Sequence, residues 1–357
     1  MDYLNKVEKI VHNTLHTYYK AVKRLYVKNE VQLNWENIKD NIGNASGIKS
    51  NPDIPYTREQ IKSILEKCDE RERVIVLLLA STGMRRGAMA ELKHGDLRYI
   101  EQYGIYEIKV YAGQTDLIKD RETGKVIGEK RKMDPEHTYL TYCSSECANA
   151  IRSYLDFRKR NGENITDDSY LIRKQFNGQH RSEYLKKKSQ NVPDRLKTIS
   201  LPTDPPYLHK VTEHNIEYTI YQLVCDAGIR DLENKKTKLG DRHKIMVEHG
   251  FRKYHMNKCL ESGIYPMYVE FLQGRDIGVA RHYYRPGSIE GKYSLLELYV
   301  QKAMPELVVS DEVRTKLKMT ELEAKMQEEQ ERVKRAFEET QKALEEERRK
   351  REEQESE

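Results

Sequence analysis

The chain has 357 residues, with 63 Lys and Arg against 58 Asp and Glu, for a formal charge of +5. Hydrophobic residues make up 37% and charged residues 34%, enough to build one large core or two modest ones but with no run near about eighteen apolar residues that could span a membrane. Five cysteines over this length are no disulfide framework, and the opening MDYLNKVEKIVHNTL lacks the basic, apolar, small-residue progression of a secretory leader, so the chain reads as intracellular and cytoplasmic, without membrane association.

The charge is unevenly spread. Residues 311–357 carry 12 basic and 16 acidic side chains, a net of −4, and residues 1–310 carry 51 and 42, a net of +9. A basic body suits a polyanion partner, although charge alone is weak support for one.

In chain order, residues 9–27 form a helix with Ile10, Leu15, Tyr18, Val22 and Leu25 near one side, and a short second helix follows around Asn34–Ile38. Residues 43–55, with Gly, Asn, Ser and two prolines, read as a linker. Thr57 with Gln60 has capping-box spacing, followed by Ile61, Ile64 and Leu65 at helical intervals. The apolar run VIVLLLAST, 74–82, is a buried core helix ending near Gly83. Residues 105–111 and 137–142 alternate as strands and form an antiparallel pair, joined by a long cation-rich turn through Glu122-Thr123-Gly124-Lys125. A helix from 144 to 160 puts Ala148, Ile151, Tyr154 and Leu155 on one face, and 174–198 is an exposed basic helix and loop. Further helices are expected at 212–227, 247–262, 266–273 and 276–284, giving a mainly α body with a small antiparallel β element. The tail is one long helix. Leu322, Met326, Val333, Phe337 and Leu344 recur at intervals of four, seven, four and seven, but Glu329 and Thr340 interrupt the seam. Both a self-associating coiled coil and a solvated helix held by Glu/Lys pairs fit that pattern.

Three segments carry candidate chemistry. His249 and Arg252 stand three apart, so on a helix an imidazole and a guanidinium converge on one target such as a phosphate; a plain surface pair has the same spacing. In Ser81-Thr82-Gly83-Met84-Arg85-Arg86-Gly87 a core helix runs into a glycine turn and then an arginine, which is either an arginine held at the edge of a rigid core or a helix cap followed by a solvated Arg pair. In 272–286, Tyr283 and Tyr284 stand beside Arg281, His282 and Arg285, where nearby cations could stabilise a nucleophilic phenolate; an aromatic pair on a helix end is the plain alternative. Cys143 and Cys147, four apart, have no second Cys or His pair nearby and read as structural rather than as a metal site.

Together and in this order, the three segments resemble the tyrosine recombinase, or phage integrase, family, and look closest to archaeal mobile-element integrases. STGMRRGAMAELKHGDL is similar to the family's first box, TYLTYCSSECANAIRSYLDFR to its strand and following helix, and QLNW to part of its N-terminal DNA-clamping domain. The resemblance covers 57–298 well and the front partly. It implies a catalytic set of Arg85, His249, Arg252, Arg275 and the nucleophile Tyr284, which lies nine residues after Arg275. It also implies a lysine in the strand region, for which Lys132 is first choice and Lys130 and Lys119 are rivals. The sequence departs from the family in Ala88 where a Glu is usual, in Arg275 where His or Trp is more common, in a short front domain, and in the charged insertion between the strands.

What the resemblance implies is a site-specific recombinase, metal-independent and without a cofactor, that cleaves and rejoins double-stranded DNA through a 3′-phosphotyrosyl link. It acts as a homo-oligomer, a tetramer on paired sites. Its domains are a clamping domain at 1–50, a catalytic domain at 51–305 and a charged helical tail at 306–357. A type IB topoisomerase shares this Arg, His and Tyr chemistry, although the short helical front fits an integrase better. A different reading is a non-catalytic DNA-bridging protein with a coiled-coil arm.

Overall fold

The structure is a computed structural model that describes residues 12–42, 54–110, 115–120, 122–123, 126–131, 138–174, 206–230, 247–275, 278 and 294–355. At the front are α1 (His12–Lys28) and α2 (Trp35–Ile42), the latter capped by Asn34, whose side-chain oxygen accepts from the Asn37 amide at 3.0 Å. Trp35 fixes the contact between the two helices. The rings of Tyr19 and Tyr26 each meet it edge-on at 6.0 Å, and the Tyr19 hydroxyl donates to the Trp35 carbonyl at 3.0 Å. The apolar face expected of the first helix is therefore only partly used. Leu15 is buried, but Tyr18, Val22 and Leu25 are exposed, because Trp35 selects the tyrosines of a neighbouring face. Ile10 and most of the expected linker lie outside the described residues.

In the body, α3 (Arg58–Leu65) opens on the capping box of Thr57 and Gln60, with both reciprocal hydrogen bonds made, and buries Ile61, Ile64 and Leu65. The next helix, α4 (Glu70–Thr82), is capped the same way by Asp69 and Glu72, and every residue from Val74 to Thr82 is buried. A helix apolar on all sides belongs at the centre of a core. After it come α5 (Arg86–Glu91), then strands β1 (Leu97–Ile100) and β2 (Ile105–Val110), β3 (Thr115–Lys119) and β4 (Val126–Arg131), and β5 (Tyr139–Tyr142). Strands β1, β2 and β5 form an antiparallel three-stranded sheet in that spatial order, with Ile108 paired to both Leu97 and Thr141. The two expected strands are thus neighbours. Their long connection is not a plain turn, because β3 and β4 pair within it as a separate two-stranded hairpin.

Helix α6 (Ser145–Arg160), capped by Ser144, packs along α4 and buries Ala148, Ile151, Tyr154 and Leu155. The helical path continues through α7 (Glu213–Asp226), α8 (His249–Glu261) and α9 (Pro266–Leu272). Helix α8 lies against α4, and α9 lies against β5. The expected basic segment at 174–198 and the helix at 276–284 fall outside the described residues, except for Lys174 and Gly278.

The sequence reading missed a further element. Residues 295–307 form α10 (Leu295–Leu298), a π-helical turn Tyr299–Ala303 and α11 (Met304–Leu307), and Leu295, Tyr299, Ala303, Met304, Leu307, Val308 and Val309 join the core. The tail is α12 (Asp311–Glu355). Its base is tied to α3 by Asp311, which takes ion pairs from Arg58 at 2.7 Å and from Lys62. Beyond the base, Leu322, Met326, Val333, Phe337 and Leu344 are all exposed.

At the end of α6 lies a buried ion network. Glu163, 5% exposed, accepts from Arg158 at 2.5 and 2.9 Å and pairs with Arg173 at 2.7 Å and His209 at 3.6 Å. Burial pushes its carboxyl up, but hydrogen bonds from Arg158 and His209 and the charges of Arg158 and Arg173 outweigh this and hold it well below the usual carboxylate range. Among the described residues, no helix is long and apolar enough to cross a membrane.

Candidate active site

The site begins where α4 stops. Ser81 and Thr82 donate back to the Leu77 and Leu78 carbonyls at 2.7 Å each, and Tyr299 from the π-helical turn donates to the Ser81 carbonyl at 3.0 Å. The Thr82 hydroxyl then accepts from the Met84 amide at 3.2 Å, closing the turn. Gly83 sits in the left-handed region at φ 60, and a Cβ there would lie 2.7 Å from Gln273 Nε2 and 3.0 Å from the His255 ring. Glycine is required for both reasons. This tight turn delivers Arg85 and Arg86 at once.

The two arginines have different fates, which corrects the reading of a solvated pair. Arg85 is exposed and donates from Nη1 to the Gly274 carbonyl at 3.3 Å. Arg86 is held by three carboxylates: Glu213 at 2.6 Å, Glu217 at 3.2 Å and Glu248. Glu248 is the residue just before α8, so Arg86 ties the start of that helix, and with it His249, to the Gly83 turn.

On α8, Arg252 is 7% exposed. Its Nη1 donates to the Gly83 carbonyl at 2.6 Å and its Nη2 to the Gln273 carbonyl at 3.0 Å. Two of its five donors are thereby spent on main chain. Burial lowers the pKa of Arg252 to about 10; the Arg85 and Arg275 charges push the same way, and Tyr139 opposes them. The guanidinium is still cationic at neutral pH. Three guanidiniums in mutual electrostatic reach, one of them buried, are an arrangement that an anion stabilises.

Gly274, at φ 63, makes the turn out of α9, and a Cβ there would come within 2.1 Å of the Tyr139 ring. Tyr139 on β5 thus floors the site. Burial pushes its hydroxyl up to about 12 against the pull of Arg252 and Arg85. Arg275 follows, half-buried, with Glu270 at 3.8 Å. His249 is the exposed first residue of α8, one turn before Arg252. The described structure therefore gathers Arg85, Arg252 and Arg275, and puts His249 on the helix that carries Arg252. Lys119 and Lys130 are exposed on the β3–β4 hairpin, and no hydrogen bond or ion pair among the described residues joins either to the arginines. Lys132, Tyr283 and Tyr284 lie outside the described residues, as do Arg281 and His282.

Sequence reasoning missed Gln273, His255, Tyr139 and the carboxylates around Arg86. The one available signal was polarity out of place: Gln273 follows Leu272 directly, and His255 stands on a face shared with Phe251 and Cys259. His255 is fully buried, and burial, helped by the Arg252 charge, lowers its pKa to about 3. The unfolded chain binds this proton below about pH 6.5 and the folded chain does not, so stability is fully present above that pH and falls as the pH drops toward 3. By pH 5 this one group costs about 2 kcal/mol, and His255→Leu should remove that share of the slope in urea unfolding at about pH 7.5 and about pH 5. Among the described residues no cluster of His, Cys, Asp or Glu is arranged to hold a metal, and Cys143 and Cys147 are both buried, free thiols.

No protein-family model matches the chain, and a search of curated proteins finds no relative. Solved structures do resemble it. The XerA recombinase is 20% identical, over 84% of this chain and 80% of that one, with a TM-score of 0.36. The Tn1549 transposon integrase in complex with transposon right end DNA is 14% identical, over 79% and 77%, with a TM-score of 0.45. A lambda integrase dimer bound to a COC′ core site is 13% identical, over 78% and 74%, with a TM-score of 0.37. With every TM-score below 0.5, what the site does has to be read from its own residues.

Proposed function

We propose that the chain is a tyrosine-type site-specific DNA recombinase, with the catalytic fold of that family in residues 51–305, a short DNA-clamping unit before it and a helical tail after it. The observation that carries the reading is the pairing of Arg252 and Arg85 on the neighbouring carbonyls of Gln273 and Gly274, with Arg275 beside them. Guanidiniums bound to main chain, one of them buried, are preorganised donors for the non-bridging oxygens of a phosphodiester, and their charge opposes what builds up there in the transition state.

In this reading Tyr284 attacks the phosphorus. The bond to the 5′-oxygen breaks, and a 3′-phosphotyrosyl link forms. His249 assists proton transfer near the tyrosine, Arg275 adds a hydrogen bond to the phosphate, and Lys132, or Lys130 or Lys119 from the hairpin, protonates the leaving 5′-oxygen. Guanidiniums supply the charge that a metal supplies in other phosphoryl-transfer sites. The cytoplasmic protein acts on double-stranded DNA as a homo-oligomer, a tetramer on paired sites, and the archaeal mobile-element likeness of its sequence belongs to the same reading.

Because Arg85 is exposed and makes one long hydrogen bond, its removal should leave the fold intact. Arg85→Ala should lower strand cleavage of a labelled duplex by about 10²–10³-fold at saturating protein, with chelator present throughout. Duplex affinity should fall far less, since one phosphate contact among several is lost. Undiminished cleavage by Arg85→Ala would contradict the reading. The exposed apolar stripe of α12 favours a second reading, a DNA-bridging protein whose tails pair as a coiled coil, which binds duplex without any covalent product.

A further inference from the structure

We infer that Gln273 is a positioning residue for Arg252, an assignment that rests on the strand-cleavage reading above. Gln273 is 0% exposed, a polar side chain placed where α9 meets the core. Its Nε2 donates to the Arg252 carbonyl at 2.9 Å and to His255 Nδ1 at 2.9 Å. Arg252 Nη2 donates in return to the Gln273 carbonyl at 3.0 Å. Two residues 21 apart in sequence thus hold each other by main chain and side chain at once.

Chemistry fixes which way the amide points. A carbonyl only accepts, so the nitrogen end of Gln273 must face Arg252. His255 must then offer a lone pair at Nδ1 and carry its proton on Nε2, on the side of Cys259 Sγ at 3.6 Å. A fully buried neutral imidazole does this, and it occupies the second hydrogen of the amide. Gln273 Oε1 is left buried without a partner. An apolar side chain of equal length would avoid that unmet acceptor, so the amide is accounted for by what its nitrogen holds.

The consequence reaches both arginines. The Gln273 carbonyl receives Arg252, and the next carbonyl, Gly274, receives Arg85 at 3.3 Å. Fixing the Gln273 side chain against Arg252 and His255 therefore sets the first of two successive peptide units from which the two guanidiniums hang. The donors of Arg252 not spent on main chain are aimed by that frame, and a long side chain so aimed loses less freedom when it meets a phosphate.

The test compares the parent chain with Gln273→Met, of similar volume, and His255→Leu, which leaves Gln273 its bond to the Arg252 carbonyl. Single-turnover cleavage is measured on two nicked duplexes, one ordinary and one with an uncharged methylphosphonate at the scissile position. On the ordinary duplex Gln273→Met should cleave about 10²-fold more slowly and His255→Leu about tenfold more slowly, with duplex Kd within about twofold of the parent. On the methylphosphonate, which lacks the charge that Arg252 neutralises, the Gln273→Met deficit should shrink to less than about tenfold, and no purely structural defect would shrink in this way. Parent-like cleavage by Gln273→Met, or equal deficits on both duplexes, overturns the assignment. Should Gln273→Met not fold, His255→Leu on the same two duplexes decides it, and equal deficits there overturn it too. Absence of any covalent product from the parent chain is a separate outcome, and it removes the cleavage reading and this assignment together.

Discussion

Tyr284→Phe is expected to abolish covalent attachment to DNA while duplex Kd stays within about twofold of the parent chain. The phenolic oxygen is the atom that would bond to phosphorus, and phenylalanine keeps the ring but has nothing to attack with. In the recombinase family that the sequence resembles, the nucleophile lies nine residues after the position of Arg275, which implies Tyr284 rather than its neighbour. Successive residues on a helix point about 100° apart, so both tyrosines cannot meet one phosphate. Tyr283→Phe should therefore retain cleavage. Labelled DNA migrating with protein under denaturing conditions reads both variants, and loss of the adduct in Tyr283→Phe alone would move the nucleophile by one residue.

The largest stability effect should come from Glu163, far in sequence from Arg85, Arg252 and Arg275. Glu163→Leu leaves Arg158 and Arg173, 0% and 1% exposed, buried without their carboxylate. Breaking a buried ion network from one side costs about 3–5 kcal/mol, because the remaining charges are left uncompensated. For a body of this size that corresponds to a fall in Tm on the order of 10 °C by thermal unfolding. The sign with pH follows from a depressed carboxylate. The Glu163 contribution is fully present above its ordinary unfolded value of about 4.3 and is lost as the pH falls through its lower folded value. In the parent chain it should be lost progressively as the pH falls below about 4.3, and in Glu163→Leu that part of the acid transition should be absent.

Much of the architecture was legible where local chemistry was decisive. The Thr57 and Gln60 capping box, the all-round apolar run that became α4, and its stop at Gly83 were each carried by a few residues whose conformational preferences are strong. The β3–β4 hairpin was not legible, because its strands are rich in Lys, Glu, Asp and Gly and show little alternation. Residues 295–307 carry no clear helical signal for a different reason. Their short apolar groups are split by a π-helical turn, which breaks the 3.6-residue period. The exposed Tyr18, Val22 and Leu25 show the converse failure: the period was right, but Trp35 chose another face.

In the site, Arg85 beside a glycine turn and Arg252 in an H-x-x-R pair were weak signals singly, and the set with Arg275 was legible only through the resemblance to the recombinase family. The carbonyls that hold them could not be found, since main-chain acceptors carry no sequence signal. The same holds for Gln273 and His255, two polar residues that meet only after α8 and α9 have packed. Arg86 looked like a twin of Arg85 until three carboxylates from α7 and the start of α8 closed around it.

We propose that this arginine cluster serves a tyrosine that becomes bonded to DNA. The most direct test is a labelled duplex with a candidate site and a nick beside the scissile phosphate, incubated with the full chain and a chelator and run under denaturing conditions. The short 5′-hydroxyl fragment diffuses away and cannot religate. A labelled band shifted by the mass of the protein, lost on protease treatment and in Tyr284→Phe, is the expected result. Firm duplex binding with no such band across many sequences would contradict it and would favour a protein that bridges DNA through its tail.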